Sequence, residues 1–409
     1  MSVAEVQCSA TAVTAATMNR PTLATAVRAA PPKLETTGWA VLLMFVAAVQ
    51  FSIAASAFML TGLLVLWVSM LVVNREQLTF PFFFWPLVAY ALWTMVSVGF
   101  SIDPMRSLVD SKEVLLFLVV PAVYRLARGE RAANVATVVI TVGAVAAVLG
   151  IVQYGIFEYD NLGQRPRGAM GHYMTYSGLL MLVIVVTASR ILFARSDRIW
   201  AALVLPALIV ALALTLTRSA WVGTCAGVSL LFILKDLRLL AVAPVVAAVF
   251  FALAPPQITN RVYATFDLQD PTNRDRLAMV SAGAEMVLDH PVTGVGPEMV
   301  QVVYADYRVR DAVNETNPHL HNVPLQIAAE RGVPALVLWI WFVVAVISEL
   351  LRRLRAPASR ALAAGGLAAV TGMLAAGMFE YNFGDSEFLM LLLVLITLPA
   401  AAAEKTIPA

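Results

Sequence analysis

Charge is scarce in this chain. Only 13% of its 409 residues are Asp, Glu, Lys or Arg and 60% are hydrophobic, whereas a soluble domain carries roughly a quarter charged residues. That balance, with a mean hydropathy of +0.80, excludes a water-soluble globule and describes an integral membrane protein. Cysteine is scarcer still: Cys8 and Cys225 provide neither a disulfide framework nor a metal quartet. A net charge of +2 with dispersed basic residues leaves no patch for nucleic acid. Residues 1–33 lack the apolar core and cleavage site of a secretory signal and read as a cytoplasmic tail. A phosphate loop is also missing, because "GVGPE", Gly294 to Glu298, has no preceding strand and no Lys-Ser/Thr, so it reads as a turn.

What the chain has instead is long apolar runs. Each crossing of a bilayer needs roughly 20 apolar residues, and on that ruler spans are predicted near 38–55, 57–73, 81–100, 113–124, 133–155, 172–190, 199–217, 219–234, 239–254, 334–351, 361–379 and 386–403. The first two share one nearly unbroken run. So do 199–217 and 219–234, which a hairpin at Thr217-Arg218-Ser219 divides. The expected fold is therefore an all-α polytopic membrane protein of about twelve transmembrane helices. Residues 1–37 form a tail, 38–254 the first nine spans, 255–333 one large outer loop of short helices, 334–403 the last three spans and 404–409 a second tail. With both termini inside, seventeen of the 28 Lys and Arg residues face the cytoplasm and eleven face out.

Ten of those eleven are arginine, whose planar fork suits phosphate oxygens. They imply an anionic ligand on the outer face, unless they merely pair with Asp267, Asp270, Asp275, Glu298 or Asp306. Arg218 stands between two apolar segments with no acidic residue within fifteen positions, which favours a ligand role. Downstream, Leu277, Val280, Ala284, Val287 and Leu288 recur on one helical face. Asn273 is the expected N-cap of that helix, which puts Arg274 and Arg276 in its first turn, where free N–H groups also favour an anion. A second short helix is expected over 298–309. In "GQRPRGAMGHYMTYSG", Arg165, Arg167 and His172 either line the same site or cap helices and bind lipid phosphate. Glu380, Asp385 and Glu387 lie in the last outer loop, to contact sugars or balance the arginines; the sequence does not decide.

Two of the chain's four histidines stand in "NPHLHNVPLQIAAERG". Zinc would need a third ligand beside His319 and His321, and the stretch offers only Glu315 and Asp311, so no metal is expected. His319 reads as a loop anchor. His321 precedes a good N-cap, Asn322, with Pro324 in the first turn and Gly332 and Pro334 as the stop, so Val323–Arg331 is a short helix expected to lie on the outer surface. A helix N-terminus among arginines disfavours the imidazolium, and a neutral histidine can serve as general base.

"HLHNVPLQIAAERGVPAL", with His321-Asn322 followed after nine residues by Gly332, resembles the signature of bacterial O-antigen ligases. "TLTRSAWVG" and "RLAMVSAGAEMVLDHPVTGVGPE" resemble two other segments of the O-antigen ligase and polymerase superfamily. The resemblance implies a glycosyltransferase that moves polysaccharide from undecaprenyl diphosphate to a sugar hydroxyl of lipid A-core, at the periplasmic face of the inner membrane and without a cofactor. It implies that His321 is the essential histidine and that Arg218 and Arg276 hold the diphosphate, with Arg274 competing with Arg276 for the role; on the residues alone, Arg167 is a further candidate contact and Asn322 a candidate supporting residue. Val280 stands where the family has an aromatic residue. The expected chemistry is a single inverting displacement. O-antigen polymerase and protein O-oligosaccharyltransferase are the related alternatives; a twelve-span secondary transporter is the unrelated one.

Overall fold

The computed structural model describes residues 32–194, 197–310 and 312–404. Most of the two expected tails, and Asp311, lie outside that range. Among the described residues every regular element is a helix. The first six are α1 (Pro32–Ala48), α2 (Ile53–Asn74), α3 (Phe84–Gly99), α4 (Pro104–Asp110), α5 (Val119–Leu126) and α6 (Arg131–Ile156). Then come α7 (Tyr173–Phe193), α8 (Arg198–Leu214), α9 (Arg218–Lys235), α10 (Ala243–Leu253), α11 (Pro256–Tyr263), α12 (Pro271–Asp289) and α13 (Val300–Tyr307). The chain ends with α14 (Val323–Arg353), α15 (Arg360–Ala376) and α16 (Ser386–Ala402). α2, α6, α7 and α14 are long and apolar enough to cross a membrane, and α3, α8, α15 and α16 are shorter apolar helices, as expected of a polytopic membrane protein.

The segments predicted at 113–124 and 239–254 are not continuous α-helices. Each begins as a 3₁₀ helix, Ser111–Leu118 and Leu237–Val242, and continues as α5 or α10. The tighter winding rises more per residue, so each pair still reaches roughly 28 Å. The first apolar run breaks at residues 49–52, earlier than the 55–57 boundary expected, because the Ser52 side chain accepts from the Ala55 N–H and caps α2 there.

α7 and α16 are apolar on all sides, and both are buried along nearly their whole length. α15 packs on α7 and α9. Gly223 and Gly227 of α9 lie so close to Gly372 and Ala368 of α15 that a Cβ at either would meet a backbone oxygen within 3 Å, the close approach that small residues permit between membrane helices. This packing brings the starts of α7 and α9, the start of α14 and the α15–α16 connection to one end of the bundle. At the other end Arg125 joins Glu76 at 2.6 Å and Glu35 at 3.2 Å, fastening α1, α2 and α5.

α14 is two helices. Gly332 (φ +79°) and Pro334 break it, and the carbonyls freed at the break are taken up by other segments. Val295 N–H donates to the Ala329 oxygen at 2.9 Å and Gly296 N–H to the Glu330 oxygen at 2.9 Å. The Trp93 indole donates to the Arg331 oxygen at 2.9 Å and the Ser97 hydroxyl to the Glu330 oxygen at 3.1 Å. Val333 N–H in turn finds the Pro291 oxygen at 2.8 Å. A broken helix at membrane depth is tolerable only when its polar groups are satisfied in this way. "GVGPE" is thus a turn, as expected, with its amides spent on α14. The half-helix 323–331 is buried by α3 and this turn instead of lying on the outer surface.

α12 departs from expectation in two respects. Asp270 caps it, accepting from the Thr272 and Asn273 N–H groups, so the helix starts at Pro271 and Arg276 falls in its second turn. Its buried face is Asp275, Ala278, Met279, Ala282, Gly283 and Met286, while Leu277, Val280 and Leu288 are exposed. Small residues win the inner face because a Cβ at Gly283 would sit 2.6 Å from Leu320 and 2.7 Å from Leu325, at the start of α14.

Candidate active site

His321 adopts a left-handed backbone (φ +48°), a region histidine enters more readily than most residues, immediately before the Asn322 cap. Asn322 accepts from Leu325 N–H at 3.0 Å and donates to the Met378 oxygen at 3.2 Å, and Val323 N–H donates to the Gly377 oxygen at 2.7 Å. Those bonds clamp the start of α14 to the α15–α16 connection and set His321 Nδ1 3.0 Å from a carboxylate oxygen of Glu380, fifty-nine residues away in sequence. Asn322 thus fixes the backbone on which His321 stands. The second Glu380 oxygen lies 3.8 Å from His319 Nε2 and accepts from Tyr381 N–H at 3.1 Å.

Burial works to raise the Glu380 carboxyl, but the bond and charge of His321, with His319 and Arg276, outweigh it and hold the group below its ordinary value. His319 is lowered, first by burial and then by the neighbouring His321, whose ring it meets edge-on at 4.2 Å. His172 caps α7 by accepting from Met174 N–H at 3.2 Å.

The arginines gather beside this pair. Arg218, the first residue of α9, is buried; it donates to the Ala264 oxygen at 2.9 Å and reaches Asp270 at 3.3 Å. The acidic partner that its sequence neighbourhood lacks thus comes from the cap of α12. Arg261, which sequence reasoning did not single out, is pushed down to about 10 by burial and by the charges of Arg218, Arg165 and Arg276, against the opposing pull of Asp270. Burial also lowers Arg276 and Arg165, and Arg218 adds to both effects. The charge of Arg218 adds to the lowering of Arg165, Arg261 and Arg276, so the four guanidiniums form a positive cluster that an anion would complete.

Of the paired candidates the structure brings one of each to the cluster. Arg276 is half-buried with Glu380 in its field, while Arg274 is exposed. Arg165 lies over the Tyr173 ring at 4.1 Å and feels Arg218, while Arg167 is exposed, 6.0 Å from the Tyr159 ring. Accordingly, Arg276→Ala is expected to raise the KM for a diphosphate-linked donor about 10- to 100-fold, the worth of a charge-assisted bond to phosphate, whereas Arg274→Ala changes it less than threefold. Steady-state kinetics on both variants decides the assignment.

His319, His321 and Glu380 also bring one ligand atom each within 4.8 Å of one another, the two imidazoles and a carboxylate of some zinc sites. The third group comes from the α15–α16 connection and not from the histidine stretch, where the sequence offered Glu315 and Asp311.

The family model described as O-antigen ligase matches residues 201–340, a stretch that carries Arg218, Arg261, Arg276, His319 and His321. No curated protein matches the chain. A solved structure described as "Structural coordination of polymerization and crosslinking by a peptidoglycan synthase complex" contains a chain 17% identical to this one, covering 79% of this chain and 98% of that chain with a TM-score of 0.45. The resemblance to the O-antigen ligase superfamily, first read from three short segments, is thereby shown over residues 201–340.

Proposed function

We propose that the protein is a glycosyltransferase that moves O-antigen polysaccharide from undecaprenyl diphosphate to a hydroxyl of lipid A-core at the periplasmic face of the inner membrane, with both termini cytoplasmic. The observation that carries this reading is the His321–Glu380 pair, 3.0 Å apart, beside the arginine cluster of residues 165, 218, 261 and 276. Glu380, held ionised, accepts from Nδ1–H and fixes the tautomer, so Nε2 keeps its lone pair for the acceptor proton. As the hydroxyl attacks the anomeric carbon, the imidazolium that forms is stabilised by the carboxylate. The glycosidic oxygen departs with the diphosphate, and the arginines stabilise the one further negative charge that it gains as the anomeric bond breaks. The anomeric carbon inverts and no covalent glycosyl-enzyme forms.

Incubating the purified protein with lipid-linked polysaccharide and lipid A-core tests the assignment. Glycan on the core supports it; glycan on a second lipid-linked chain would make the protein an O-antigen polymerase, and glycan on a polypeptide a protein O-oligosaccharyltransferase. Uptake of a solute without any transfer would point to a secondary transporter.

The histidine and carboxylate set gives a metal-dependent mechanism a definite form that can be tested. A 3.0 Å contact between Nδ1 and the carboxylate is a hydrogen bond, and the neighbouring arginines repel a cation. Transfer is therefore expected to keep its rate within twofold after dialysis against EDTA. A loss that zinc restores would replace the base mechanism.

A further inference from the structure

A cavity of about 220 Å³ opens beside the histidines, and the chemistry above leaves most of its walls unused. Drug-sized sites begin at roughly 300 Å³, so this one has room for a single small ring. His172 and Thr175 of the α7 start, Ser219 of α9 and the stretch from Glu380 to Asp385 line it. The charged side chains among its described lining are two carboxylates, Glu380 and Asp385, with no arginine or lysine. The Thr175 hydroxyl donates to Asp385, which also caps α16 by accepting from Phe388 N–H at 3.0 Å.

Asn382 stands in the same wall. It is only 6% exposed, and its amide donates to the Met373 oxygen at 3.2 Å, yet its Oδ1 has no partner among the described residues. A buried acceptor left unpaired costs about 1–3 kcal/mol. That oxygen is also closed to water, so it does not face the cavity, and the side-chain oxygens an occupant meets are those of Thr175, Glu380 and Asp385. Tyr381 and Phe388 complete the walls with aromatic surface for the C–H face of a ring.

We propose that this cavity binds one neutral pyranose ring and that, given the glycosyltransferase reading above, the ring is the acceptor sugar whose hydroxyl His321 activates. Its hydroxyls donate to Asp385 and to Glu380. A uronate or a phosphorylated sugar would set its charge against the carboxylates in a medium of low dielectric constant and is refused. Charge thus divides the site: the diphosphate sits with the arginines of α9, α11 and α12, and the neutral ring sits between α7 and the start of α16.

Saturation-transfer NMR on the full chain in detergent micelles tests this without requiring turnover, using methyl hexopyranosides and the matching methyl hexuronide as probes. The hexopyranoside is expected to show saturation transfer at least fivefold above the hexuronide. Asp385→Asn preserves the helix cap and is expected to weaken the neutral ring at least fivefold and to narrow its advantage over the hexuronide. Thr175→Val, which removes the hydroxyl that holds Asp385 in place, is expected to weaken it similarly, and Arg276→Ala to leave it bound. Equal signals from the two probes, or a hexopyranoside signal indifferent to both substitutions, overturns the subsite. Selective binding in a protein that transfers no glycan would overturn the glycosyltransferase reading and leave the subsite standing. Transfer by a protein that does not discriminate the probes would do the reverse.

Discussion

Replacing His321 by alanine is expected to lower the transfer rate by about 10²–10⁴-fold, the range a positioned general base contributes, with less than threefold change in donor KM. Glu380→Gln is expected to lose about 10–100-fold while binding donor normally, because a neutral amide can still hold Nδ1 but no longer stabilises the imidazolium. The two effects should not add: once the imidazole is gone, the carboxylate has nothing to orient. His319→Ala, whose ring meets His321 edge-on, is expected to fall below either. Initial rates with lipid-linked polysaccharide and lipid A-core measure all four proteins, counting the double variant. More than a tenth of wild-type activity in His321→Ala would rule this histidine out as the base.

The second large effect concerns the backbone. A Cβ on Gly332 would stand 1.9 Å from the Val292 oxygen, and the φ of +79° is itself one that L side chains avoid. Gly332→Ala is therefore expected to cost on the order of 3 kcal/mol or more and to inactivate the enzyme, since the same break sets the direction of the His321 half-helix. Gly99, with nothing within 4 Å of an added Cβ, is the matched control. Gly99→Ala should melt within a degree or two of wild type, whereas Gly332→Ala should melt far below it or fail to accumulate. Equal melting temperatures would show that the break in α14 is not under the constraint described here.

Much of this arrangement is written locally. The apolar runs mark most of the helices because bilayer thickness fixes their length, and the Asn322 cap, Pro324 and the Gly332 stop locate the half-helix of α14 within a residue. The errors lie where a distant contact outweighs a local pattern. Leu277, Val280 and Leu288 form a clear stripe, yet α12 turns its small residues inward because the start of α14 lies against Gly283. Glu380 completes the histidine pair from the far side of α15, and no spacing rule ties residue 321 to residue 380. Arg165 and Arg167 look alike in sequence, and only the loop's path over Tyr173 turns the first toward Arg218. Arg261 carried one faint signal: on the topology expected from the sequence it is, like the others, an arginine on the side where positive charge is depleted.

The clasp on α14 also has a direction in time. Trp93, Ser97, Pro291, Val295 and Gly296, which hold the broken ends around Gly332, all precede that glycine in the chain. A nascent chain therefore emerges with the receptor for the break already synthesised, and the second half of α14 docks into it as it leaves the ribosome. Separating the chain after residue 290 would send the 291–298 turn out with α14 but without α3, and the Arg331 carbonyl would then wait for its indole from another polypeptide. Split-protein complementation at that point would accordingly recover activity only when both halves are inserted in the same membrane.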